Sequence, residues 1–202
     1  MEKEEILILC FNGSPRKEGH TAQLLKKVME GVEAEGGKAK LIHLIDKNIK
    51  PCLGCYSSDW KNCTYPCKQK DDMHELCEEI IKADGIVLGS PSYWGNVSGI
   101  MKIFLDRMLC LENNDLIENK VGGAVAVAEE TGGEEVVYYL VATLSEFGFC
   151  IPPSTACVYA NHTIEEDWEQ ALKNAYILGR NLVRLARAIK KTKTEFLSIV
   201  DY

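Results

Sequence analysis

The chain lacks two features that would point to a membrane or to a nucleic acid. Its longest apolar runs, such as residues 6–11, are far shorter than the roughly 18 residues that suggest a membrane span, and the acidic N-terminus shows no signal peptide. The net charge of −7 disfavours a nucleic-acid-binding protein, because neutralising phosphates requires a clustered basic surface. We therefore expect a cytoplasmic protein without membrane or nucleic-acid partners.

Internal repeats, low-complexity tracts and linkers are also missing. A chain of 202 residues, 46% of them hydrophobic, is long enough for one domain with a substantial core. The sequence therefore predicts a single domain over residues 1–202, with one irregular cysteine-rich insertion at residues 46–70.

Two well-known nucleotide loops are absent from the first predicted strand-to-helix connection. This connection runs from Gly13 to Thr21, with five residues between Gly13 and Gly19 and then His20. A nucleoside-triphosphate loop requires four residues between its glycines followed by a lysine, and the dinucleotide fingerprint requires a third glycine. A single terminal phosphate is therefore the better match.

The same segment has the properties of a phosphate-binding turn. It follows an apolar run and opens an amphipathic helix, so free backbone N–H groups and the positive end of the helix dipole point at one spot. Side-chain donors are added by Ser14, Arg16, His20 and Thr21. The alternative is an ordinary turn, in which glycine supplies a positive φ and Ser or Thr caps the helix.

Short apolar runs alternate with longer helical patterns, as in repeated βαβ units around a parallel sheet. The predicted strands are residues 5–11, 38–44, 85–89, 121–128 and 150–160, and the predicted helices are residues 21–36, 71–83, 98–110, 134–147 and 164–191. These elements indicate an α/β fold with a doubly wound, five-stranded parallel sheet of order 2-1-3-4-5 and helices on both faces. The loops after strands one, three and four should then converge.

The loop after the third predicted strand holds two adjacent aromatic residues. Pro91 ends the strand, and the loop continues with Ser92, Tyr93, Trp94, Gly95 and Asn96. Such a loop suits a flat aromatic ligand, and Asn96 can hydrogen-bond a ring edge. The alternative is that Tyr93 and Trp94 pack inward or against another subunit.

The loop after the fourth predicted strand is rich in glycine. Thr131 precedes Gly132 and Gly133 at the start of a helix, where exposed backbone N–H groups can stabilise negative charge. Alone, this would be a plain glycine turn. Together, the three loops offer sites for one terminal phosphate, one flat ring and one electron-rich edge, which are the parts of flavin mononucleotide (FMN).

Four segments of the chain also carry a family resemblance. They are residues 13–21, the stretch Pro51-Cys52-Leu53-Gly54-Cys55, the triplet Asp71-Asp72-Met73, and residues 89–99. These segments closely resemble the NADPH-dependent FMN reductase family, in particular its iron–sulfur flavoprotein branch.

The resemblance implies a flavodoxin-like fold, bound FMN, and NAD(P)H as co-substrate. The residues that would hold the FMN phosphate are Ser14, Arg16, His20 and Thr21. Those that would flank the isoalloxazine ring are Pro91, Ser92, Tyr93, Trp94, Gly95 and Asn96, with Thr131 and Gly132 near its pyrimidine edge. Similar proteins often have asparagine where His20 stands, and such families usually form homodimers or homotetramers.

Nine cysteines in a cytoplasmic protein point to metal, iron–sulfur or redox chemistry before disulfides. Four of them fall within sixteen residues and can enclose a tetrahedral metal or an iron–sulfur cluster: Cys52, Cys55, Cys63 and Cys67. The similar iron–sulfur branch has its third cysteine where this chain has Ser58, so Cys63 stands at the expected fourth position and Cys67 is a substitute ligand.

Two other interpretations of this loop remain open, namely a redox-active pair formed by Cys52 and Cys55, and thiols without a function. The remaining cysteines lie in predicted strands or helices and are expected to be buried small hydrophobic residues: Cys10, Cys77, Cys110, Cys150 and Cys157.

The first hypothesis for function is an NAD(P)H-dependent FMN reductase-like oxidoreductase. The flavin N5 carries the chemistry, and electrons pass to a flavin- or quinone-type acceptor or to a protein, so no catalytic side chain is needed. The alternative is an iron–sulfur flavoprotein that carries electrons to or from a ferredoxin-like partner. A third hypothesis is a binding module that has kept the fold without the cofactor.

Overall fold

The computed structural model describes residues 5–154, 156–159 and 165–192. Within these ranges the strands are β1 (Leu7–Asn12), β2 (Lys38–His43), β3 (Gly85–Pro91), β4 (Val121–Ala128) and β5 (Ala156–Tyr159). They form one parallel sheet in the order β2-β1-β3-β4-β5. This is the flavodoxin-like arrangement, and the predicted α/β class with a parallel sheet is confirmed.

Five helices cover both faces of the sheet. They are α1 (His20–Ala34), α2 (Met73–Lys82), α3 (Gly99–Glu112), α4 (Gly133–Glu146) and α5 (Glu165–Thr192). Side chains alternate along β1, so Ile8 and Cys10 pack with α1 and α5, whereas Leu9 and Phe11 pack with α2, α3 and α4. The two resulting cores confirm the prediction of helices on both faces.

The burial of each strand follows its sequence. Every residue of β4 is buried, as is all of β3 except Pro91 at its end, because interior strands of a doubly wound sheet are covered on both faces. The edge strand β2 instead exposes Lys38 and Lys40.

The fifth strand is much shorter than predicted. Cys150 forms only an isolated bridge to Val121, and β5 begins at Ala156. The intervening segment contains Pro152 and Pro153, which have no N–H to donate to a sheet ladder. The well-developed part of the sheet is therefore β2-β1-β3-β4, and β5 adds four residues at one edge.

The segment called the cysteine-rich insertion is irregular apart from short 3₁₀ turns at Leu44–Asp46, Cys55–Ser57 and Trp60–Asn62. Among the described residues, every helix is too short or too polar to cross a membrane.

Helices α1 and α5 touch through their backbones at two glycines. A Cβ atom added at Gly31 would lie 2.1 Å from the carbonyl oxygen of Tyr176, and one added at Gly179 would lie 2.0 Å from that of Val28. These distances leave no room for any side chain.

We predict that Gly179→Ala destabilises the protein by about 3 kcal/mol, because the added methyl group must force α5 away from α1. Gly99→Ala is the matched control, since a Cβ there meets nothing within 4 Å, and it should change the free energy of unfolding by less than about 1 kcal/mol. Urea denaturation measures both values. Equal effects of the two substitutions would contradict close packing of the helices.

Candidate functional site

The loops after β1, β3 and β4 are joined by direct hydrogen bonds. The Gly13 N–H donates to the Gly89 carbonyl over 2.7 Å, which holds the first loop against β3. The Ser92 N–H donates to the Val127 carbonyl over 2.7 Å, and the Ser92 hydroxyl donates to the Thr131 carbonyl over 3.2 Å. The predicted convergence of the three loops at one edge of the sheet is therefore present.

One buried hydroxyl links the first loop to α3. The Ser98 hydroxyl donates to the Gly13 carbonyl over 2.6 Å and accepts from the Met101 N–H over 3.1 Å, so Ser98 is the N-cap of α3. The Ser98 N–H is bonded to the Ser90 hydroxyl over 3.0 Å. The start of α3 and the first loop thus hold each other in place.

The shape of the first loop depends on Asn12, which the sequence analysis missed. Its side-chain oxygen accepts from the Ser14 N–H over 3.0 Å, and its amide nitrogen lies 2.9 Å from Nδ1 of His43. The Ser14 hydroxyl in turn accepts from the Arg16 N–H over 3.1 Å. A polar residue at the buried end of an apolar strand, directly before Gly13, was the available signal.

The N-terminus of α1 is open to an anion. Its N-cap, Gly19, offers no side-chain cap, and within the described part of the chain the first turn carries no acidic residue. The unpaired N–H groups of that turn and the helix dipole therefore favour a negatively charged ligand.

The charged residues around this helix end form ion pairs that do not involve Arg16, so its guanidinium can bind an anion. Lys17 pairs with Asp46 at 2.6 Å, and Glu18 pairs with Lys26 at 2.5 Å. Lys26 lowers the pKa of Glu18 through this hydrogen bond. Arg16 is exposed and forms no ion pair with any described residue.

One cleft brings together seven of the twelve residues predicted to bind FMN. They are Ser14, Arg16, His20, Thr21, Pro91, Ser92 and Tyr93, and the cleft is also lined by Glu18, Gly19, Gln23, Val127 and Glu129. The ring of His20 packs edge-on against Trp168, with the ring centres 4.9 Å apart. The other five predicted residues lie beside this cleft without lining it: Trp94, Gly95, Asn96, Thr131 and Gly132.

The aromatic loop is a tight turn that exposes Trp94. Tyr93 and Asn96 exchange backbone hydrogen bonds of 2.9 and 3.2 Å, and the central residues Trp94 and Gly95 have φ of 55° and 70°. The Trp94 side chain is fully exposed and Tyr93 is half-exposed, so inward packing of Trp94 is wrong. The Asn96 side-chain oxygen accepts from the Val97 N–H over 2.8 Å, which leaves only its amide N–H₂ for a ring edge.

The glycine loop approaches the aromatic loop closely. Gly132 has a φ of 87°, and a Cβ atom there would lie 2.5 Å from the Ser92 hydroxyl oxygen and 2.8 Å from Cα of Gly95. Only glycine fits this position without separating the two loops.

A sequence model of the NADPH-dependent FMN reductase family matches residues 6–163. This chain belongs to that family. Family membership confirms the resemblance stated from the motifs and the hypothesis of an FMN-dependent oxidoreductase.

Three proteins illustrate what this chain is similar to. An iron–sulfur flavoprotein of Methanocaldococcus jannaschii is 33% identical over 195 residues, covering 91% of this chain and 99% of the relative. An NAD(P)H dehydrogenase (quinone) of Cupriavidus metallidurans is 30% identical over 135 residues, covering 66% of this chain and 64% of the relative. RosB, solved with a bound 8-demethyl-8-formylriboflavin-5′-phosphate intermediate, shares the fold at a TM-score of 0.76 and 20% identity, covering 94% of this chain and 82% of RosB.

The FMN reductase fold carries a second candidate site at the cysteine-rich insertion. A cavity beside α3 is lined by all four predicted ligands, Cys52, Cys55, Cys63 and Cys67, together with Arg107 and Cys110. Within the described ranges, no group of three or more His, Cys, Asp or Glu side chains already has the arrangement of a metal site. The thiols surround one space without converging on a point.

The cavity is anchored by a fully buried ion pair. Arg107 on α3 donates to both carboxylate oxygens of Asp71, over 2.6 and 3.0 Å, and both side chains are shielded from solvent. Arg107 also donates to the Lys50 carbonyl over 2.8 Å and to Sγ of Cys67 over 3.6 Å. One guanidinium therefore fixes both ends of the cysteine-rich insertion.

Burial opposes the ionisation of Asp71, but hydrogen bonds outweigh it. The donors are Arg107 and the backbone N–H groups of Lys50 and Met73, and they hold the pKa of Asp71 below its ordinary value. Arg107 Nε is buried and has no hydrogen-bond partner among the residues described.

The residues around the cavity fit a thiolate-bound metal or an iron–sulfur cluster. Soft sulfur ligands suit both groups, the Arg107 cation offsets thiolate charge, and its unpartnered Nε–H is a donor for sulfur. The pKa of Cys63 is raised to about 11. Burial is the largest cause, and repulsion from neighbouring thiolates is the second, with Cys110 the largest contributor to it.

The remaining described cysteines behave mostly as predicted. Cys10, Cys77 and Cys110 are buried, and burial raises the pKa of Cys10 to about 12. A hydrogen bond with Cys77 lowers the pKa of Cys110. Cys150 is only half-buried, and the side chain of Cys157 lies outside the described residues.

We predict that Arg107→Met destabilises the protein by about 3 kcal/mol, because it leaves the Asp71 carboxylate buried without its cation. The matched control is Lys102→Met on the same helix, which removes an exposed partner of Asp106 and should cost less than about 1 kcal/mol. Urea denaturation at neutral pH measures both changes. A loss in Arg107→Met as small as that in the control would contradict the anchoring role.

The same pair predicts a pH dependence. Because the folded-state pKa of Asp71 is depressed, its stabilising contribution is present above the unfolded pKa of about 3.9 and is lost as the pH falls below it. Stability measured from pH 6 downward should therefore fall more steeply in wild type than in a double variant, Arg107→Met with Asp71→Asn. Parallel curves would contradict this assignment.

Proposed function

We propose that this chain is an FMN-dependent oxidoreductase that passes electrons from NAD(P)H to a flavin- or quinone-type acceptor. The observation that carries the proposal is the cleft in which the open N-terminus of α1 and the available Arg16 lie opposite Pro91 and Tyr93. Such a cleft offers an anion site and an aromatic surface to the same ligand.

The phosphate end of FMN would be bound by the first loop. Ser14 and Thr21 contribute hydroxyls that are already positioned by burial, and Arg16 contributes a charge-assisted pair. His20, held against Trp168, adds a ring N–H from the side of α5. Lys26 offsets the charge of Glu18, which lines the same cleft.

The ring of FMN would lie along the loops after β3 and β4. Pro91, Ser92 and Tyr93 line its side of the cleft, and the turn of Trp94, Gly95 and Asn96 forms the rim. Thr131 and Gly132 lie against Ser92 and Gly95, and the backbone N–H groups at the start of α4 favour negative charge there. Bound FMN would supply the chemistry for accepting a hydride and passing on electrons, and these residues would bind and orient it.

The rest of the proposal concerns assembly and location. We propose a single domain that works in the cytoplasm as a homodimer or homotetramer, without nucleic-acid or membrane partners. The fully exposed ring of Trp94 beside the cleft supports a subunit contact there. NAD(P)H would reach the flavin from the same open side.

Arg16→Ala should weaken FMN binding by about tenfold or more while leaving riboflavin binding unchanged, because only FMN has the phosphate that Arg16 contacts. Lys17→Ala is the matched control, since Lys17 is already paired with Asp46, and it should affect both ligands little. Fluorescence titration of apoprotein measures the four dissociation constants. Equal losses for FMN and riboflavin in Arg16→Ala would contradict the phosphate site.

A second candidate function is an iron–sulfur flavoprotein that exchanges single electrons with a ferredoxin-like protein. It is favoured by the cavity that five cysteine thiols and Arg107 line, and by the relative of that name. Bound iron and sulfide would supply one-electron transfer, and the cysteine thiolates would hold them.

Anaerobically purified protein distinguishes the two functions through its absorption spectrum and its flavin, iron and acid-labile sulfide contents. We expect flavin bands that bleach with NAD(P)H and recover on adding quinone. Broad iron–thiolate absorption with iron and sulfide in equal amounts would favour the carrier. Protein that binds no flavin would contradict both functions.

A further inference from the structure

Cys110 belongs to the cysteine-rich cavity although it is far from the insertion in sequence. It lies in the last turn of α3, is buried, and lines the same cavity as Cys52, Cys55, Cys63 and Cys67. The sequence pattern alone predicts only a packing role for Cys110. Its thiol donates to its own helix, to the Arg107 carbonyl over 3.3 Å.

The structure holds Cys63 next to Cys110. The side-chain amide of Asn114 donates both to the Cys63 carbonyl, over 3.1 Å, and to the Cys110 carbonyl, over 2.8 Å. Asn113 donates to the Cys63 carbonyl over 2.9 Å and to the Trp60 carbonyl over 3.1 Å. The end of α3 therefore clamps this part of the insertion beside Cys110.

Neither Ser58 nor Cys67 completes a four-ligand set with Cys52, Cys55 and Cys63 as simply as Cys110 does. Ser58 is exposed, does not line the cavity, and accepts a hydrogen bond from the Asn62 side chain over 3.3 Å. Cys67 does line it, but its sulfur is the acceptor for the Arg107 guanidinium at 3.6 Å. Cys67 thus already has a charged partner that holds it against the buried ion pair.

We propose that Cys110 is a ligand of the metal or iron–sulfur centre, completing a four-thiolate set with Cys52, Cys55 and Cys63. Cys67 remains outside the set as a thiol hydrogen-bonded to Arg107. A tetrahedral four-sulfur site forms when the loop thiols close toward a cysteine that the rigid helix α3 already fixes. This inference rests on the cysteine-lined site proposed above.

The test uses the full-length flavin-loaded protein, stripped of metal under anaerobic reducing conditions and titrated with Co²⁺. Sulfur-to-cobalt charge-transfer absorption reports the number of bound thiolates. We expect four thiolates in wild type, in Cys67→Ser, and in the matched control Cys77→Ser, which removes the equally buried neighbouring thiol on α2. Cys110→Ser should lose about one quarter of the intensity, since one thiolate in four is missing.

The Cys67→Ser variant tests whether Cys110 is a ligand even if Cys110→Ser fails to fold. Four thiolates in Cys67→Ser require Cys110, because the cavity then holds only Cys52, Cys55, Cys63 and Cys110. Three thiolates in Cys67→Ser, or full intensity in Cys110→Ser, would overturn the proposal, as would wild type that binds no Co²⁺. The flavin content of each sample reports the FMN site separately, so failure at the metal site is distinguishable from failure of the reductase function.

Discussion

The buried ion pair between Arg107 and Asp71 is the interaction on which the cysteine-lined cavity depends. Two fully buried charges are stable only when paired and hydrogen-bonded, and here each also bonds the backbone of Lys50. The pair holds both ends of the cysteine-rich insertion against α3, and Arg107 reaches the sulfur of Cys67. An irregular segment with little core of its own thereby gains a defined position.

Helix α3 connects the two candidate sites. Its N-cap, Ser98, bonds the phosphate-loop backbone at Gly13, and its later turns carry Arg107 and Cys110 into the cysteine-lined cavity. The rise from Gly99 to Cys110 is about 17 Å. The flavin cleft and the thiols are therefore held at fixed positions by one rigid element, which suits a protein that moves electrons.

Much of this arrangement follows from sequence patterns, and the exceptions have physical causes. Apolar runs in the sequence predicted β1, β3 and β4. Because parallel strands end at the same edge of a sheet, the loops after them were expected to lie together. The fifth strand was predicted to be too long, because Pro152 and Pro153 cannot donate hydrogen bonds to a sheet ladder. The role of Asn12 and the position of Cys110 at the cysteine-lined cavity were missed because both depend on partners distant in the chain, which no local pattern reveals.

We propose that the loops after β1, β3 and β4 hold one FMN, with its phosphate at the start of α1. A crystal structure of the FMN complex tests this most directly. The phosphate is expected within hydrogen-bond distance of Ser14, Arg16 and Thr21, with the ring along Tyr93 and its pyrimidine edge near Thr131 and Gly132. A phosphate that faces solvent, or a flavin bound away from this cleft, would contradict this binding mode.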